Sequence, residues 1–355
     1  MDLPFVGPHY KLMGKPRKQH YIPQSYLNRF TANGELVVFD FINERKFATS
    51  PQNVAHIKDF YSTDIKESAD ENIVESYFSK VENSAQNIID EYVNTMRPPN
   101  KKNWVRLAEF IAGMYVRVPK FRFEYLEFAE GFLNMRAHHV LANPTSYKYQ
   151  QLAKHGKPEE LLKDVSKIQI TPHQNQYVLA MLKSIPKLTG VISQMTFTLL
   201  YSCGSSRFIT SDNPVILFDP KPDRYHGSGW VKDSIESYFP LSPFTCLLLR
   251  RHSDSNVSSF DDRQVAVVNS LLISSATQYI FAIKEVAWIS NNHKISKDDA
   301  LLFQEFAEPK KKRNFLECSN IKHIPKEIVL NRIKKSRYDK LQSKKAINLI
   351  TADFL

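Results

Sequence analysis

The spacing of apolar residues changes about halfway along this 355-residue chain, and that change constrains the fold more than any single motif. Between about residues 68 and 195 the apolar side chains recur every three or four positions, which is the period of a helix that buries one face. From about residue 196 to residue 283, short apolar runs are separated by turn-forming residues, which is typical of strands. Because helices precede strands instead of alternating with them, the sequence predicts an α+β fold.

We expect one α+β core domain over residues 19–296, in which a helix-rich N-terminal half packs on a small antiparallel or mixed sheet. Residues 1–18 contain Pro and Lys and are predicted to be irregular. Residues 297–355 are predicted to form a basic extension, with helices at Asp298–Phe306 and Glu327–Ser336.

Within the core, five segments carry the helical pattern: Ser68 to about Asn94, Lys102–Val116, Phe121–Leu141, Gln174–Met195 and Asp261–Thr277. The predicted strands are Leu36–Phe41 paired with Arg45–Thr49 as a hairpin, followed by Thr196–Tyr201, Arg207–Thr210, Pro214–Phe218, Phe244–Arg250 and Tyr279–Ile283. Val54–Tyr61 is interpreted as a connector, and residues 143–170 as a surface insertion with some helix.

Most of the net charge of +11 lies near the C-terminus. Residues 309–350 contain thirteen Lys and Arg and three Asp and Glu, which gives +10 and leaves about +1 for the rest of the chain. Concentrated positive charge attracts phosphates, so RNA or DNA is the predicted partner. The alternative is a solvated basic segment without a partner. The predicted nucleic-acid contacts are Lys310, Lys311, Lys312, Arg313, Lys334, Lys335 and Arg337.

The sequence also indicates a compartment. No run approaches eighteen apolar residues, so no membrane span is expected. The N-terminal residues lack the charged and apolar regions of a signal peptide. Cys203, Cys246 and Cys318 are scattered and show no zinc-ligand spacing. We therefore expect a soluble cytoplasmic protein with free thiols.

Several familiar active-site patterns are missing from the sequence. It contains no GxxxxGK[ST], GxGxxG, HExxH or GxSxG motif. The nuclease pattern of a carboxylate followed by a strand with Glu-x-Lys is also missing, since the strand after Asp212 ends in Leu-Leu-Arg-Arg. Any catalytic site must therefore use separate polar residues.

Two candidate residues lie in the N-terminal half. His20 follows Gln19 and precedes a fixed Ile22-Pro23 step, so it is a candidate base, although a hydrogen-bonded structural histidine is the alternative. Glu82 continues an acidic stripe on the first long helix, and clustered carboxylates suit a divalent cation. A solvated helix face is the alternative for Glu82.

Two further candidates follow. Arg117 ends an apolar segment and must pair with a carboxylate or a phosphate, so Glu82 and a substrate are both plausible partners. The sequence Thr210-Ser211-Asp212-Asn213-Pro214 forms a polar turn between two predicted strands, where a scaffold often presents reactive side chains. Ordinary turn chemistry explains the same residues.

The order of these motifs resembles that of the family of unknown function DUF4238, found in bacteria and phages. The resemblance covers about residues 18–283 and rests on Gln19-His20-Tyr21-Ile22-Pro23, Asp59-Phe60-Tyr61, Val81-Glu82, Arg117-Val118-Pro119, Thr210-Ser211-Asp212-Asn213-Pro214-Val215 and Pro240-Leu241-Ser242-Pro243. It implies no established activity. It implies that His20, Glu82, Arg117 and Asp212 belong to one constellation.

This constellation suits metal-assisted phosphodiester hydrolysis. The leading hypothesis is a metal-dependent nuclease, active in bacterial antiviral defence. It uses His20, Glu82 and Asp212 as catalytic residues, with Mg²⁺ or Mn²⁺ held by Glu82 and Asp212. Substrate would contact Gln19, Arg117, Ser211 and Asn213. Two alternatives stay open: a non-enzymatic protein that binds nucleic acid or recruits a partner, and an enzyme acting on a small phosphorylated substrate. The sequence does not indicate the oligomeric state.

Overall fold

A computed structural model describes residues 18–40, 42–43, 45–61, 73–155, 173–220, 229–251, 256–283, 288–290 and 300–302. Its helices are α1 (Gln24–Leu27), α2 (Ile73–Thr95), α3 (Lys101–Val116), α4 (Pro119–Leu141), α5 (Tyr147–His155), α6 (Gln174–Ile192) and α7 (Asp262–Ser275). Its strands are β1 (Lys18–His20), β2 (Leu36–Asp40), β3 (Arg45–Thr49), β4 (His56–Lys58), β5 (Thr196–Ser202), β6 (Thr210–Ser211), β7 (Ile216–Phe218), β8 (Glu236–Ser242), β9 (Thr245–Arg250), β10 (Asn256–Phe260), β11 (Tyr279–Ala282), β12 (Trp288–Ser290) and β13 (Ala300–Leu302). The α+β prediction is confirmed.

Helix α3 is the centre of the helical layer. It lies between α2 and α6, and for this reason its buried residues are spread around much of its circumference. Its N-terminus is capped by the Asn100 side chain, which accepts from the Asn103 amide at 3.0 Å. Gly113 faces Phe78 of α2, and a Cβ at Gly113 would stand 3.4 Å from that ring. The lack of a side chain at this position thus allows the two helices to pack closely.

A five-stranded sheet forms the layer next to these helices, with strand order β10-β5-β9-β8-β7. Its pairs are antiparallel except β10 and β5, which run parallel, so the sheet is mixed. Aromatic rings join this sheet to the helices: Phe197 stacks on Trp104 with centroids 4.1 Å apart. Phe239 stacks on Tyr26 at 5.3 Å. The largest core cluster therefore spans helices and sheet.

A second sheet has four antiparallel strands in the order β3-β2-β11-β6. It joins the N-terminal strands β2 and β3 to the much later strands β6 and β11. The predicted β2–β3 hairpin is confirmed, and β11 pairs with β2 from more than 200 residues away. This pairing also brings β6 beside β11, which places the polar turn that follows β6 next to the start of β11. A separate two-stranded sheet pairs β1 with β4 and sets His20 opposite His56.

Some predicted elements differ from the structure. The helix predicted over Asp298–Phe306 is wrong at Ala300–Leu302, which form strand β13, because this short apolar run pairs with Trp288–Ser290. The strand predicted over Arg207–Thr210 is reduced to Thr210–Ser211. The residues before Thr210 do not pair as a strand, because the side-chain oxygen of Asn269 of α7 accepts from the Ile209 amide at 3.1 Å.

Other predictions fall on residues that the structure does not describe. They are the irregular segment before residue 18, the helix start at Ser68, the helix at Glu327–Ser336 and the predicted nucleic-acid contacts in the basic extension. Among the described helices, none is both long and apolar enough to cross a lipid bilayer.

Candidate functional site

The C-terminal end of α3 presents Arg117 to Glu82 of α2. An Arg117 guanidinium nitrogen donates to the Glu82 carboxylate at 2.6 Å. The arginine side chain is only 2% exposed, whereas the glutamate is 23% exposed. The structure thus forms the pair that the sequence left open, and solvent reaches it from the glutamate side.

The rest of the Arg117 guanidinium has weak partners. A second nitrogen lies 3.0 Å from the Met114 sulfur, and the group stands 4.9 Å from the centre of the Phe78 ring. Within the described part of the chain, Nε of Arg117 has no hydrogen-bond partner. Glu82 therefore provides the main compensation for a deeply buried charge.

His20 lies at the end of β1. Its ring contacts His56 of β4 edge-on, with centroids 5.3 Å apart. Burial lowers the pKa of His20 to about 4, and the positive charges of His56 and Arg117 act in the same direction. His20 is therefore neutral at neutral pH. Hydrogen bonds of Tyr61 to Gln19 of β1 and to the Arg117 carbonyl bring β1 to the end of α3.

The tautomer of His20 follows from its neighbours. The Gln24 side-chain amide lies 3.0 Å from Nε2 of His20, and an amide nitrogen can only donate. Nε2 then accepts, and the ring proton is on Nδ1. The Val54 backbone lies near the ring and raises the pKa of His20. Among the described residues, however, no group makes a hydrogen bond of normal distance and angle with Nδ1 of His20.

Gln19, predicted to contact substrate, is 6% exposed. Its side-chain oxygen accepts from the Tyr61 amide at 2.5 Å, which ties β1 to the segment after β4. The Tyr61 hydroxyl in turn donates to the Arg117 carbonyl at 3.2 Å. In this structure Gln19 therefore holds the strand that carries His20 against the end of α3.

Asp212 lies after β6 and is 1% exposed. Its carboxylate accepts three backbone amides that precede or begin β11: Thr277 at 2.8 Å, Gln278 at 2.6 Å and Tyr279 at 3.1 Å. Burial raises the pKa of Asp212 to about 6, while these donors act in the opposite direction. Asp212 fixes the turn into β11.

The neighbours of Asp212 are also satisfied within the fold. The Ser211 hydroxyl donates to the Asn213 carbonyl at 2.8 Å and accepts from its amide at 3.1 Å. The Asn213 side-chain amide donates to the carbonyl and to the hydroxyl of Ser275 at the end of α7. Thr210 shares a hydrogen bond with the buried Tyr26 hydroxyl at 2.8 Å. Local turn bonds of Ser211 and long-range hydrogen bonds of the other residues therefore account for the polar side chains of this motif.

The predicted constellation is divided into two groups. Glu82 of α2 pairs with Arg117 at the end of α3, and Tyr61 links the strand that carries His20 to the same end of α3, whereas Asp212 lies at the four-stranded sheet. In the described residues, no hydrogen bond or ion pair joins Asp212 to the first group.

Two buried tyrosines, Tyr21 and Tyr61, contact the same Phe60 ring, and their pKa values respond to charges from the two groups. The pKa of Tyr21 is raised well above its usual value, first by burial and then by the negative charge of Asp212. The pKa of Tyr61 is also raised by burial, and Arg117 opposes that change. Tyr21 and Tyr61 also influence each other, so they connect the two groups electrostatically.

The sequence-based analysis missed three contributors. His56 and Tyr61 fall in the segment read as a connector, and the approach of His56 to His20 depends on the β1–β4 pairing. Asp40, 1% exposed, accepts from the Gln278 side chain at 3.2 Å, while the Gln278 amide donates to Asp212. An acid at the end of a hairpin strand was the only available signal for Asp40.

No three His, Cys, Asp or Glu side chains in the described ranges are arranged to hold a metal ion. The divalent cation stays a prediction. Of its two predicted ligands, Glu82 is partly open to solvent, whereas Asp212 is enclosed by backbone amides.

Comparison with known proteins places this site in a family. Residues 18–285 match the sequence profile of the family described as protein of unknown function, DUF4238. The chain belongs to the DUF4238 family. No curated protein and no solved structure matches it. The matched region of this DUF4238 chain includes both polar groups, and the basic extension lies outside it.

Proposed function

We propose that the DUF4238 chain is a phosphodiester hydrolase that acts on nucleic acid, with its chemistry centred on His20 and Glu82. One observation carries the proposal: a partly exposed carboxylate is held by a buried arginine, and the strand that carries a histidine neutral at neutral pH is linked to the same helix end through Tyr61. A neutral histidine can accept a proton, and an ionised carboxylate can bind a cation or orient water.

The residues have separate roles. His20 takes the proton from the attacking water through Nε2, and the Gln24 amide that Nε2 accepts from in the structure must first move away; the low pKa keeps this nitrogen unprotonated at neutral pH. Glu82 is the carboxylate that reaches solvent, and Arg117 is a positioning residue because its guanidinium already binds Glu82. Arg117 therefore orients the carboxylate instead of gripping phosphate.

In this proposal a divalent cation would have one protein carboxylate as a ligand. Mg²⁺ is commonly bound by one or two protein carboxylates together with substrate phosphates and water. Glu82 supplies one such carboxylate. The proposal does not depend on Asp212 as a second ligand, because Asp212 would have to give up three backbone hydrogen bonds.

The experiment that tests the proposal is a cleavage assay. The full-length protein is incubated with single- and double-stranded RNA and DNA in the presence of Mg²⁺, Mn²⁺ or EDTA. We expect at least one substrate to be cut, and the rate to fall in Glu82→Gln. Substrates that stay intact under every condition would contradict the proposal.

A second candidate function is non-enzymatic binding of nucleic acid. It is favoured by the polar turn at residues 210–214, whose polar side chains bond within the fold, together with the +10 surplus of residues 309–350. This function predicts tight, salt-sensitive binding without cleavage. Tight binding by a variant that lacks residues 309–355 would contradict it.

A further inference from the structure

Helix α4 buries only its two terminal residues, Pro119 and Leu141, although it is 23 residues long. Its first turns are attached to the body, as shown by the Tyr125 hydroxyl, which donates to the Gln176 carbonyl at 3.3 Å. Farther along, three large apolar side chains face outward: Phe128 is 72% exposed, Phe132 43% and Met135 62%. Concentrated apolar exposure of this kind marks contact surfaces.

The exposed positions follow the repeat of a helix that packs on another helix. They come at intervals of four and three residues, which keeps them on one side of the helix. We call this set the α4 stripe: Glu124, Phe128, Gly131, Met135, His138 and Ala142. Phe132 lies beside the stripe, and its ring stacks on that of Phe128 with centroids 6.4 Å apart.

The two ends of the α4 stripe carry different polar side chains. Glu124 and Glu127 are exposed near its N-terminal end, and His138 and His139 near its C-terminal end. An antiparallel pair of α4 helices would bring the carboxylates of one copy to the imidazoles of the other. A parallel pair would bring carboxylate to carboxylate. Antiparallel helix dipoles favour the same arrangement.

The middle of the α4 stripe has room for a partner. A Cβ at Gly131 would meet no atom within 4 Å, so a side chain from another helix can approach the backbone there. Phe128 and Met135 flank this glycine by three and four residues. In an antiparallel pair that sets Glu124 opposite His138 of the second copy, the two-fold axis passes near Gly131, so the two glycines face each other and let the helix backbones approach closely.

We propose that the α4 stripe binds the α4 stripe of a second copy of this chain, in antiparallel orientation. The proposal names a second copy because the antiparallel arrangement sets the carboxylates of one stripe opposite the imidazoles of the other, which can donate hydrogen bonds to them, and brings the two exposed apolar middles together. It does not depend on the proposed hydrolase activity.

Sedimentation equilibrium of the full-length protein tests the proposal. We expect a concentration-dependent dimer whose dissociation constant rises at least tenfold in Phe128→Glu. Val231→Glu is the matched control, because Val231 is also 72% exposed but lies far from α4 in the sequence, and it should leave the dissociation constant unchanged. A circular dichroism melt checks that both variants fold. A monomeric wild type, or equal dimerisation by Phe128→Glu, would overturn the proposal.

Disulfide cross-linking tests the orientation. In a background with Cys203 and Cys318 replaced by Ser, Glu124→Cys should cross-link to a copy carrying His138→Cys, and poorly to itself. Gly131→Cys, near the two-fold axis, should cross-link to itself. Efficient cross-linking of Glu124→Cys to itself would show a parallel pair and overturn the antiparallel assignment.

Discussion

Arg117 and Glu82 form an ion pair at 2.6 Å in which the arginine is buried and the glutamate is partly open to water. The two side chains therefore depend on the ion pair to different degrees. Without the carboxylate, the guanidinium would be left in the core with Met114 and Phe78 as its neighbours. Without the arginine, the glutamate could still be hydrated.

This asymmetry predicts different costs for the two deletions. Glu82→Ala should lower the free energy of unfolding by about 3–5 kcal/mol, because it leaves an uncompensated buried charge. Arg117→Met should cost less, about 1–2 kcal/mol, since Glu82 stays accessible to solvent. Urea unfolding measures both. Glu91→Ala, an exposed position on the same helix, is the control and should change little. Equal costs for the two deletions would contradict the burial argument.

Asp212 should make stability depend on pH in an unusual direction. Its folded pKa of about 6 lies above the ordinary value of 3.8, so the folded state binds the proton more tightly than the unfolded state does. The contribution of Asp212 to the free energy of unfolding is therefore fully present below about pH 4 and is lost, by about 3 kcal/mol in total, as the pH rises through about 6.

Asp212→Asn removes this titration. The difference in unfolding free energy between wild type and variant should shrink as the pH rises from about 4 to about 6. The variant should also be less stable than wild type at pH 4, because one amide oxygen cannot serve three backbone donors. A difference that grows with pH in this window would show that the three amide donors outweigh burial.

His20 should act in the opposite direction. Its folded pKa of about 4 lies below 6.5, so its contribution to stability is present above about pH 6.5 and is lost as the pH falls through 4. The same pKa governs its proposed role as a base. If cleavage occurs, kcat/KM should stay constant as the pH falls to about 4 and should decrease only below that pH. An acid limb near pH 6.5 would exclude His20 as the base in this environment.

The basic extension should control affinity for nucleic acid through salt. Replacing Lys310, Lys311, Lys312 and Arg313 with Gln should reduce the slope of log K against log salt by up to about 3–4, since each phosphate contact contributes about 0.9. The same replacement at Lys101, Lys102, Lys183 and Lys187, which are exposed elsewhere, should leave the slope nearly unchanged. An equal decrease in the slope for both variants would mean that Lys310–Arg313 contribute no more to phosphate binding than the other exposed lysines do.

Local periodicity was enough to predict most helices and the β2–β3 hairpin. Strand β8 was missed because Pro240 lies inside it, and proline normally argues against a strand. The structure accommodates this proline at a register shift between Pro240 and Ser242. Strand β10 was missed because it is short and polar, and its parallel pairing with β5 is visible only in the fold.

The candidate site shows the same limit of prediction from local sequence. Sequence reasoning selected Arg117 and Glu82 as a plausible pair because an arginine in an apolar segment needs a partner, and the structure forms it. It could not separate this pair from Asp212, because the amides that enclose Asp212 come from residues more than 60 positions away. Burial and long-range backbone contacts decide which acids can reach a substrate.

The most direct test of the central claim compares cleavage rates of His20→Gln, His56→Gln and wild type, per folded molecule, on the nucleic acid that the wild type cuts best. We expect His20→Gln to lose at least 100-fold in rate, as expected for removal of a general base, while His56→Gln, on the adjacent strand, keeps most of the activity. Cleavage by His20→Gln at the wild-type rate would contradict the claim that this histidine moves the proton.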